Sequence, residues 1–243
     1  MPIVLKLIPA RTVVDVGCGD GAWLAVFREF GVTDTLGLDG DYVPRGLLQI
    51  PQDQFIAADL FEPFSLARTF DLAVSLEVAE HLPRQAAEGF VLSLTRLAPV
   101  VLFSAAIPFQ TGTDHLNEQW PDYWAALFQQ HDYLPIDCIR PRIWQNDQVE
   151  WWFAQNALLF AQAARIENDP ILRGEFERTI PAQLCLVHPR KYLAAVQPLP
   201  PPGVRASTRL LTQALKRVAL RAVDRLRPNH EMSTLERGLN PRG

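Results

Sequence analysis

Two histidines lie in polar stretches where a proton-transferring group could act. His81 ends the run Glu77–His81, and His115 follows Asp114 in a loop-like stretch of polar residues. Imidazole titrates close to neutral pH, so a histidine in such a loop can serve as a general base. We therefore predict that His81 and His115 are catalytic residues. The alternative for His115 is structural: with Asp114 and Asn117 it would cap and orient the next helix.

A glycine-rich turn between an apolar strand and a helix is the second chemical signal. It reads Val-Val-Asp-Val-Gly-Cys-Gly-Asp-Gly over residues 13–21. Gly17 and Gly19 let the backbone bend sharply and approach a ligand closely, and Gly21 permits close packing where the helix begins. With Ala22 the spacing also satisfies the G-x-G-x-x-G/A fingerprint of dinucleotide sites. The turn therefore predicts a nucleotide-type ligand.

Asp15 distinguishes between the two ligands that such a turn could hold. A carboxylate beside the glycines would face a pyrophosphate unfavourably, but it suits a cationic amino acid. S-adenosylmethionine carries both an α-ammonium and a sulfonium. Asp15 therefore favours S-adenosylmethionine, and a nicotinamide dinucleotide is the alternative.

These residues need a scaffold that brings strand ends together. Short apolar runs alternate with amphipathic stretches from Thr12 to about Phe160, which indicates repeated strand–helix units in a doubly wound, seven-stranded and mostly parallel α/β sheet. The predicted strands are Thr12–Val16, Thr35–Asp39, Gln54–Ala57, Phe70–Leu76, Val100–Ser104, Leu134–Arg140 and Glu150–Phe160. The predicted helices are Ala22–Phe30, Pro44–Leu48, Arg84–Leu97 and Trp120–Gln130. Ligands bind at the carboxyl edge of such sheets, so both histidine loops are expected there.

Prolines divide the remainder of the chain. Residues 1–161 are predicted to form the core, and residues 162–197 a cap or sheet-edge decoration. Consecutive prolines make residues 198–205 a stiff linker. Residues 206–243 contain an amphipathic basic helix and a polar tail. We expect the helix to pack on the domain or on a second subunit, giving a homo-oligomer; the alternative is an anionic membrane surface.

Composition narrows the partners and the compartment. The net charge of −4 provides no chain-wide basic field, which disfavours a nucleic-acid partner. No apolar stretch approaches the roughly 20 residues of a membrane-spanning helix, and the amino terminus lacks a signal-peptide pattern. Three widely spaced cysteines form neither a disulfide framework nor a zinc knuckle. A cytoplasmic protein is predicted.

Four motifs in order resemble the class I S-adenosylmethionine-dependent methyltransferases, a family with bacterial small-molecule members. The first is Asp-Val-Gly-Cys-Gly-Asp-Gly, residues 15–21. Leu-Gly-Leu-Asp at 36–39 and Ala-Ala-Asp-Leu at 57–60 follow the second and third strands, and residues 70–82 match the fourth strand and its turn. The resemblance implies the Rossmann-like fold, to which the amphipathic pattern of residues 206–243 adds a carboxyl-terminal helical extension. It also implies S-adenosylmethionine as cofactor with S-adenosylhomocysteine as product.

The resemblance also implies which residues bind the cofactor. Asp39 matches the acid that accepts both ribose hydroxyls, and Asp59 matches the position that contacts the adenine amino group. For Asp59 the alternative is a plain helix cap. The full set of predicted cofactor-binding residues is Asp15, Gly17, Cys18, Gly19, Gly21, Asp39, Gly40, Asp59, Leu60, Leu76 and Glu77.

The run Glu-x-x-Glu-His has two interpretations. It recurs in this superfamily as a structural turn, and on that basis we predict no bound metal. It also resembles the metal-binding motif of ubiquinone-biosynthesis O-methyltransferases and small-RNA 2′-O-methyltransferases. In that alternative Glu77, Glu80, His81 and His115 would supply ligands for Mg²⁺, Mn²⁺ or Zn²⁺, polarising a hydroxyl acceptor.

Together these features predict a methyltransferase acting on oxygen of a small-molecule or sugar-containing acceptor. Methyl transfer from a sulfonium is an in-line displacement, so the protein must hold the nucleophile opposite the sulfur. Two alternatives remain: a nicotinamide-dependent oxidoreductase, and a non-catalytic module that keeps the cofactor site.

Overall fold

The computed structural model describes residues 1–196, of which residues 1–195 form one compact unit. The linker predicted at 198–205 and the basic helix predicted at 206–243 lie outside the described residues. The strands are β1 Thr12–Val16, β2 Asp34–Asp39, β3 Phe55–Ala57, β4 Leu72–Leu76, β5 Val100–Ser104, β6 Tyr133–Ile136 and β7 Leu158–Gln162. The helices are α1 Pro2–Leu7, α2 Ala22–Glu29, α3 Ala87–Leu97, α4 Pro121–Gln129, α5 Arg140–Ile143, α6 Trp151–Asn156, α7 Ala163–Glu167, α8 Pro170–Arg178 and α9 Pro189–Val196.

The seven strands form one sheet in the order β3-β2-β1-β4-β5-β7-β6. The pairs among β1 to β5 are parallel, and β7 runs antiparallel to both of its neighbours. The predicted doubly wound, mostly parallel sheet is confirmed. The carboxyl ends of β1, β2 and β4 consequently meet at one edge, which is where the glycine turn, Asp39 and the Glu77 loop lie.

Helices cover both faces of the sheet, so neighbouring side chains of one strand enter different cores. Val13 of β1 packs in one buried cluster with Leu24 and Phe27 of α2. Val14 packs in the other cluster with Phe90 of α3. This double burial explains why the central strands are continuous apolar runs rather than alternating ones.

Two predicted strands are wrong in extent. The strand predicted at Glu150–Phe160 is helix α6 over its first part, and β7 begins only at Leu158. The aromatic run at 151–153 has strand propensity, but burial of the Gln155 and Asn156 amides determines the helical winding. The strand predicted at Leu134–Arg140 ends at Ile136, because the guanidinium of Arg140 is buried at the start of α5.

Two helical assignments also differ. The helix predicted at Pro44–Leu48 is only a short 3₁₀ turn over Arg45–Leu47. Helix α1 was not predicted. Pro2 lies in its first turn, where backbone N–H groups make no hydrogen bonds within the helix, so proline is tolerated there. None of the helices among residues 1–196 is long and apolar enough to cross a membrane.

Candidate active site

The glycine turn follows β1 and has the backbone that its sequence predicts. Gly17, Gly19 and Gly21 have φ values of 81°, 54° and 82°, a region that side chains with a Cβ rarely adopt. A Cβ added to Gly17 would lie 2.3 Å from Cγ2 of Val78, which belongs to the loop after β4. The loops after β1 and β4 therefore touch, and only glycine permits that approach.

Asp39, the last residue of β2, is hydrogen-bonded to this turn. Its Oδ2 accepts a hydrogen bond of 2.7 Å from the amide of Gly19, and its Oδ1 accepts one of 2.7 Å from the amide of Gly40. The hydroxyl of Tyr42 also donates to Oδ1, across 2.5 Å. This hydrogen bond and burial raise the pKa of Tyr42 to about 12. Asp39 is thus a positioned carboxylate at the carboxyl edge of the sheet.

A cavity of about 650 Å³ opens beside these groups, a size typical of small-molecule sites. Seven of the predicted site residues line it: Gly17, Asp39, Gly40, Asp59, Leu60, Glu77 and His81. Tyr42 and Phe61 also line it; neither was predicted, because isolated aromatic residues near a turn have no distinguishing sequence pattern. Asp15, Cys18, Gly19, Gly21, Leu76 and His115 are not among the lining residues of the described chain.

Asp15 lies behind the cavity in the centre of the sheet. Its side chain is buried, and within residues 1–196 its Oδ2 has no hydrogen-bond partner. Burial, with a smaller effect from the Asp39 charge, raises the pKa of Asp15 to about 8. A buried carboxyl group without a partner is costly, so a cationic ligand group reaching Asp15 would relieve that cost.

Asp59 and Leu60 form the part of the cavity wall that follows β3. Oδ1 of Asp59 accepts a hydrogen bond of 2.9 Å from the amide of Phe61, and its side chain is otherwise exposed. This local bond has the form of an aspartate turn, which was the structural alternative for this residue. Because Asp59 also lines the cavity, the turn places a carboxylate oxygen where a ligand amino group could donate to it.

Glu77 directly follows β4 and has a constrained backbone conformation. Its φ is 56°, a left-handed value that is uncommon for a residue with a side chain. Its amide donates to the carbonyl and to the hydroxyl of Ser104, each across 3.0 Å. Its Oε1 accepts a hydrogen bond of 3.1 Å from Asn156, and its Oε2 accepts one of 3.0 Å from Gln110. Both carboxylate oxygens are therefore fixed.

The two predicted histidines are in contact, and of the two only His81 is among the residues that line this cavity. The carbonyl of Glu80 accepts hydrogen bonds from the amides of Leu116 and Asn117, which joins the loops after β4 and β5. The rings of His81 and His115 consequently pack edge to face, with centroids 4.9 Å apart. The prediction that both loops lie at the carboxyl edge is therefore correct.

Glu118 organises the loop that carries His115. Its Oε1 lies 2.9 Å from Nδ1 of His115 and accepts a hydrogen bond from the amide of Thr111, while Oε2 accepts one from the amide of Phe109. Phe109 and Thr111 both have left-handed backbones, with φ of 65° and 62°. Glu118 thus holds a strained loop and one histidine nitrogen, and its spacing of three residues from His115 was the available sequence signal.

Glu80 is the other carboxylate of this region. Its side chain is fully buried, and within the described residues neither oxygen has a hydrogen-bond partner. Burial, followed by the Glu77 charge, raises the pKa of Glu80 to about 8. One ligand atom from each of Glu80, His81 and His115 lies within 4.8 Å of the others, so these residues could hold a metal ion.

Solved structures provide matches to most of the described chain. One is the methyltransferase domain of a bacterial CtHen1 (19% identity, TM-score 0.48), which covers 65% of this chain and 93% of its own. Another is an O-methyltransferase family protein from Burkholderia thailandensis (14% identity, TM-score 0.46; 66% of this chain and 53% of its own). A third is the DhpI–SAH complex (16% identity, TM-score 0.45), for which the match covers 65% of this chain and 81% of its own. No curated protein sequence matches the chain.

The family described as "Methyltransferase domain" matches residues 3–158, well over half of the 243-residue chain. This match covers the glycine turn, both histidine loops and every strand of the sheet up to the start of β7. It leaves no support for the oxidoreductase alternative. The chain belongs to the methyltransferase-domain family, as a class I methyltransferase with S-adenosylmethionine as its cofactor.

Proposed function

We propose that the protein transfers the methyl group of S-adenosylmethionine to a hydroxyl oxygen of a small-molecule or sugar-containing acceptor. The observation that carries this proposal is the pairing of His81, on the cavity wall, with His115, whose Nδ1 is held by Glu118. A histidine oriented by a carboxylate presents its other nitrogen in a fixed direction, as a general base requires.

The proposed reaction is a single displacement. The acceptor oxygen forms a bond to the methyl carbon while the carbon–sulfur bond breaks, and the electron pair stays on sulfur, giving neutral S-adenosylhomocysteine. The acceptor proton passes to the histidine pair. Deprotonation matters because a neutral hydroxyl is a weak nucleophile, whereas alignment of oxygen, carbon and sulfur depends on the walls of the cavity.

The cofactor contacts are proposed from the positions of the lining residues. Asp39 would accept the ribose hydroxyls and Asp59 the adenine amino group, because both carboxylates line the same cavity. Asp15 would face the ammonium of the methionine portion from behind the glycine turn.

A divalent cation at Glu80, His81 and His115 is the second candidate for activating the hydroxyl. The supporting observation is that both oxygens of the buried Glu80 carboxyl lack hydrogen-bond partners in the described chain, although two imidazole nitrogens lie within reach. Oxygen and nitrogen ligands together suit Zn²⁺ or Mn²⁺. Such an ion would polarise the acceptor oxygen directly.

Product analysis tests the proposed function. The purified protein is incubated with S-adenosylmethionine carrying a CD₃ group and with a panel of sugars, phenols and amines, and products are identified by mass spectrometry and NMR. We expect a CD₃ ether from a hydroxylated acceptor. Products labelled exclusively on nitrogen or carbon would contradict O-transfer.

A metal titration distinguishes activation of the acceptor hydroxyl by a histidine base from activation by a divalent cation. After treatment with EDTA, addition of Mn²⁺ or Zn²⁺ should raise both the melting temperature and the turnover if the ion is used, and neither effect should occur in Glu80→Gln. Full turnover in EDTA, with no change on adding metal, would leave the histidine base as the activating group.

We also propose a cytoplasmic location and a homo-oligomer, each on a single observation. Cys18, Cys138 and Cys185 are free thiols, which supports the reducing cytoplasm expected from the sequence. The homo-oligomer proposed through residues 206–243 can be tested by light scattering of the full chain and of a chain ending at residue 205.

A further inference from the structure

An amide network anchors Glu77 from three separate parts of the chain. Gln110 follows β5, whereas Gln155 and Asn156 end α6. Besides their bonds to Glu77, the amide of Asn156 donates to Oε1 of Gln110 across 3.0 Å. Nε2 of Gln155 donates to the same Oε1 and to Oδ1 of Asn156, each across 3.0 Å. The backbone of His188 donates to Oε1 of Gln155 across 2.9 Å.

The hydrogen bonds of this network all run towards Glu77. Every amide in it uses its oxygen to accept from another amide and its N–H₂ to donate onward, so the donors converge on the Glu77 carboxylate. Gln110, Gln155 and Asn156 are all buried. A carboxylate that accepts one bond on each oxygen from buried donors is held in one orientation. The left-handed backbone of Glu77 shows that the fold maintains this placement against a conformational cost.

The position of this anion is defined by its neighbours. Val78, the next residue, contacts the Gly17 turn, and His81 lies three residues further along the same loop. Asp39 and Asp59, the residues proposed to bind the nucleoside, line the same cavity as Glu77. Glu77 consequently lies between the glycine turn and the histidine pair, which is where the reacting sulfur must be if the methyl group is to face the histidines.

We propose that Glu77, held by Gln110 and Asn156, distinguishes the charged cofactor from its neutral product at the sulfur. S-adenosylmethionine carries a positive sulfonium, and transfer of the methyl group leaves an uncharged thioether. A fixed anion favours the first over the second and so promotes replacement of spent product by fresh cofactor. Gln110 and Asn156 are positioning residues in this scheme, and Glu77 is the residue that determines specificity. The inference rests on the cofactor assignment but not on the nature of the acceptor.

The test compares three ligands by calorimetry on the full chain in EDTA: S-adenosylmethionine, S-adenosylhomocysteine, and the analogue in which a protonated aminomethylene group replaces the methylated sulfur. In Glu77→Gln, the ratio of the affinity for each cationic ligand to that for S-adenosylhomocysteine should fall by about tenfold relative to wild type, a modest value for loss of one nearby charge. The matched control Glu88→Gln removes an exposed carboxylate on α3 and should leave the ratio unchanged.

Asn156→Ala and Gln110→Met keep the charge and remove one donor each. They should lower the same ratio by a smaller factor, because the carboxylate can then turn away. Equal losses for all three ligands in Glu77→Gln, or no change in any, would overturn the inference. If Glu77→Gln does not fold, an unchanged ratio in both donor variants would overturn it. Failure of every ligand to bind wild type would instead remove the cofactor assignment, and the inference with it.

Discussion

The hydroxyl of Tyr42 donates a 2.5 Å hydrogen bond to Oδ1 of Asp39, the carboxylate proposed to receive the ribose. Because Oδ1 also accepts from Gly40 and Oδ2 from Gly19, the phenol occupies a lone pair that the ribose diol would need. Tyr42 itself is largely exposed, so it can swing away. A side chain of the protein itself therefore occupies the carboxylate oxygen that is proposed to bind the ribose.

Replacing Tyr42 with phenylalanine should tighten binding of S-adenosylhomocysteine by about tenfold, since a hydrogen bond to a charged group no longer has to be broken. Calorimetry measures the change. Tyr192→Phe, on the exposed side of α9, is the matched control and should have no effect. Weaker binding in Tyr42→Phe would mean that the phenol stays in place and takes part in ribose recognition.

Asp15 should link cofactor binding to proton release. Its raised pKa, about 8, keeps it mostly protonated in the ligand-free protein at neutral pH. The ligand ammonium favours the ionised form, so binding should release a proton, and affinity should increase as pH rises towards 8 and then level off. Calorimetry in buffers of different ionisation enthalpy measures the release. Asp15→Asn should abolish it; equal proton release from wild type and variant would refute the link.

The same group should affect stability in the absence of ligand. The pKa of Asp15 in the folded protein lies above the ordinary value of 3.8 for an aspartate, so ionisation opposes folding. The free energy of unfolding should therefore decrease as pH rises from about 4 to about 8, and this part of the decrease should be missing in Asp15→Asn. Urea unfolding at several pH values gives the comparison, and identical pH profiles for the two proteins would be inconsistent with a buried, titrating Asp15.

His115→Ala should lower kcat by about a hundredfold to ten-thousandfold, the usual contribution of a positioned base. Affinity for S-adenosylhomocysteine should be unchanged, because His115 is not among the cavity-lining residues. His131→Ala is a suitable control, since His131 precedes β6 at the opposite edge of the sheet. A variant with normal turnover would leave His115 with the structural role considered from the sequence.

Arg140→Met should destabilise the protein by about 3 to 5 kcal/mol, the usual cost of breaking a buried ion pair. The buried guanidinium pairs with Asp137 and donates to the carbonyls of Gln155, Gln183 and Leu184. Arg165→Met removes a partly exposed pair with Asp169 and should cost only about 1 kcal/mol. Urea unfolding of both variants tests the difference, and similar losses would contradict this role for Arg140.

The central strands could be predicted because they are buried on both faces. Thr12–Val16 and Val100–Ser104 have the predicted bounds, since continuous apolar runs between turn residues leave few alternatives. The region after β5 followed the sequence pattern less closely. There the local structure depends on the hydrogen-bond partners of Arg140, Gln155 and Asn156, and those partners lie up to 79 residues away in the chain.

The cofactor side of the site was visible in the sequence because it depends on local chemistry. Glycines in tight turns and acidic residues at strand ends can each be predicted from a short local sequence motif. Glu118 and the amide network were missed because their roles arise from contacts between loops. The Gln155–Asn156 pair, two polar residues inside an aromatic run, was the one sign that a buried polar network lay there.

The carbonyls around Arg140 and the His188 amide limit how far the chain can be shortened. The family match ends at residue 158, yet Gln183 and Leu184 complete the hydrogen bonds of Arg140, and His188 completes those of Gln155. Truncation at the family boundary would remove these partners and loosen the anchor of Glu77. The smallest fragment that retains a working site must therefore extend past residue 188.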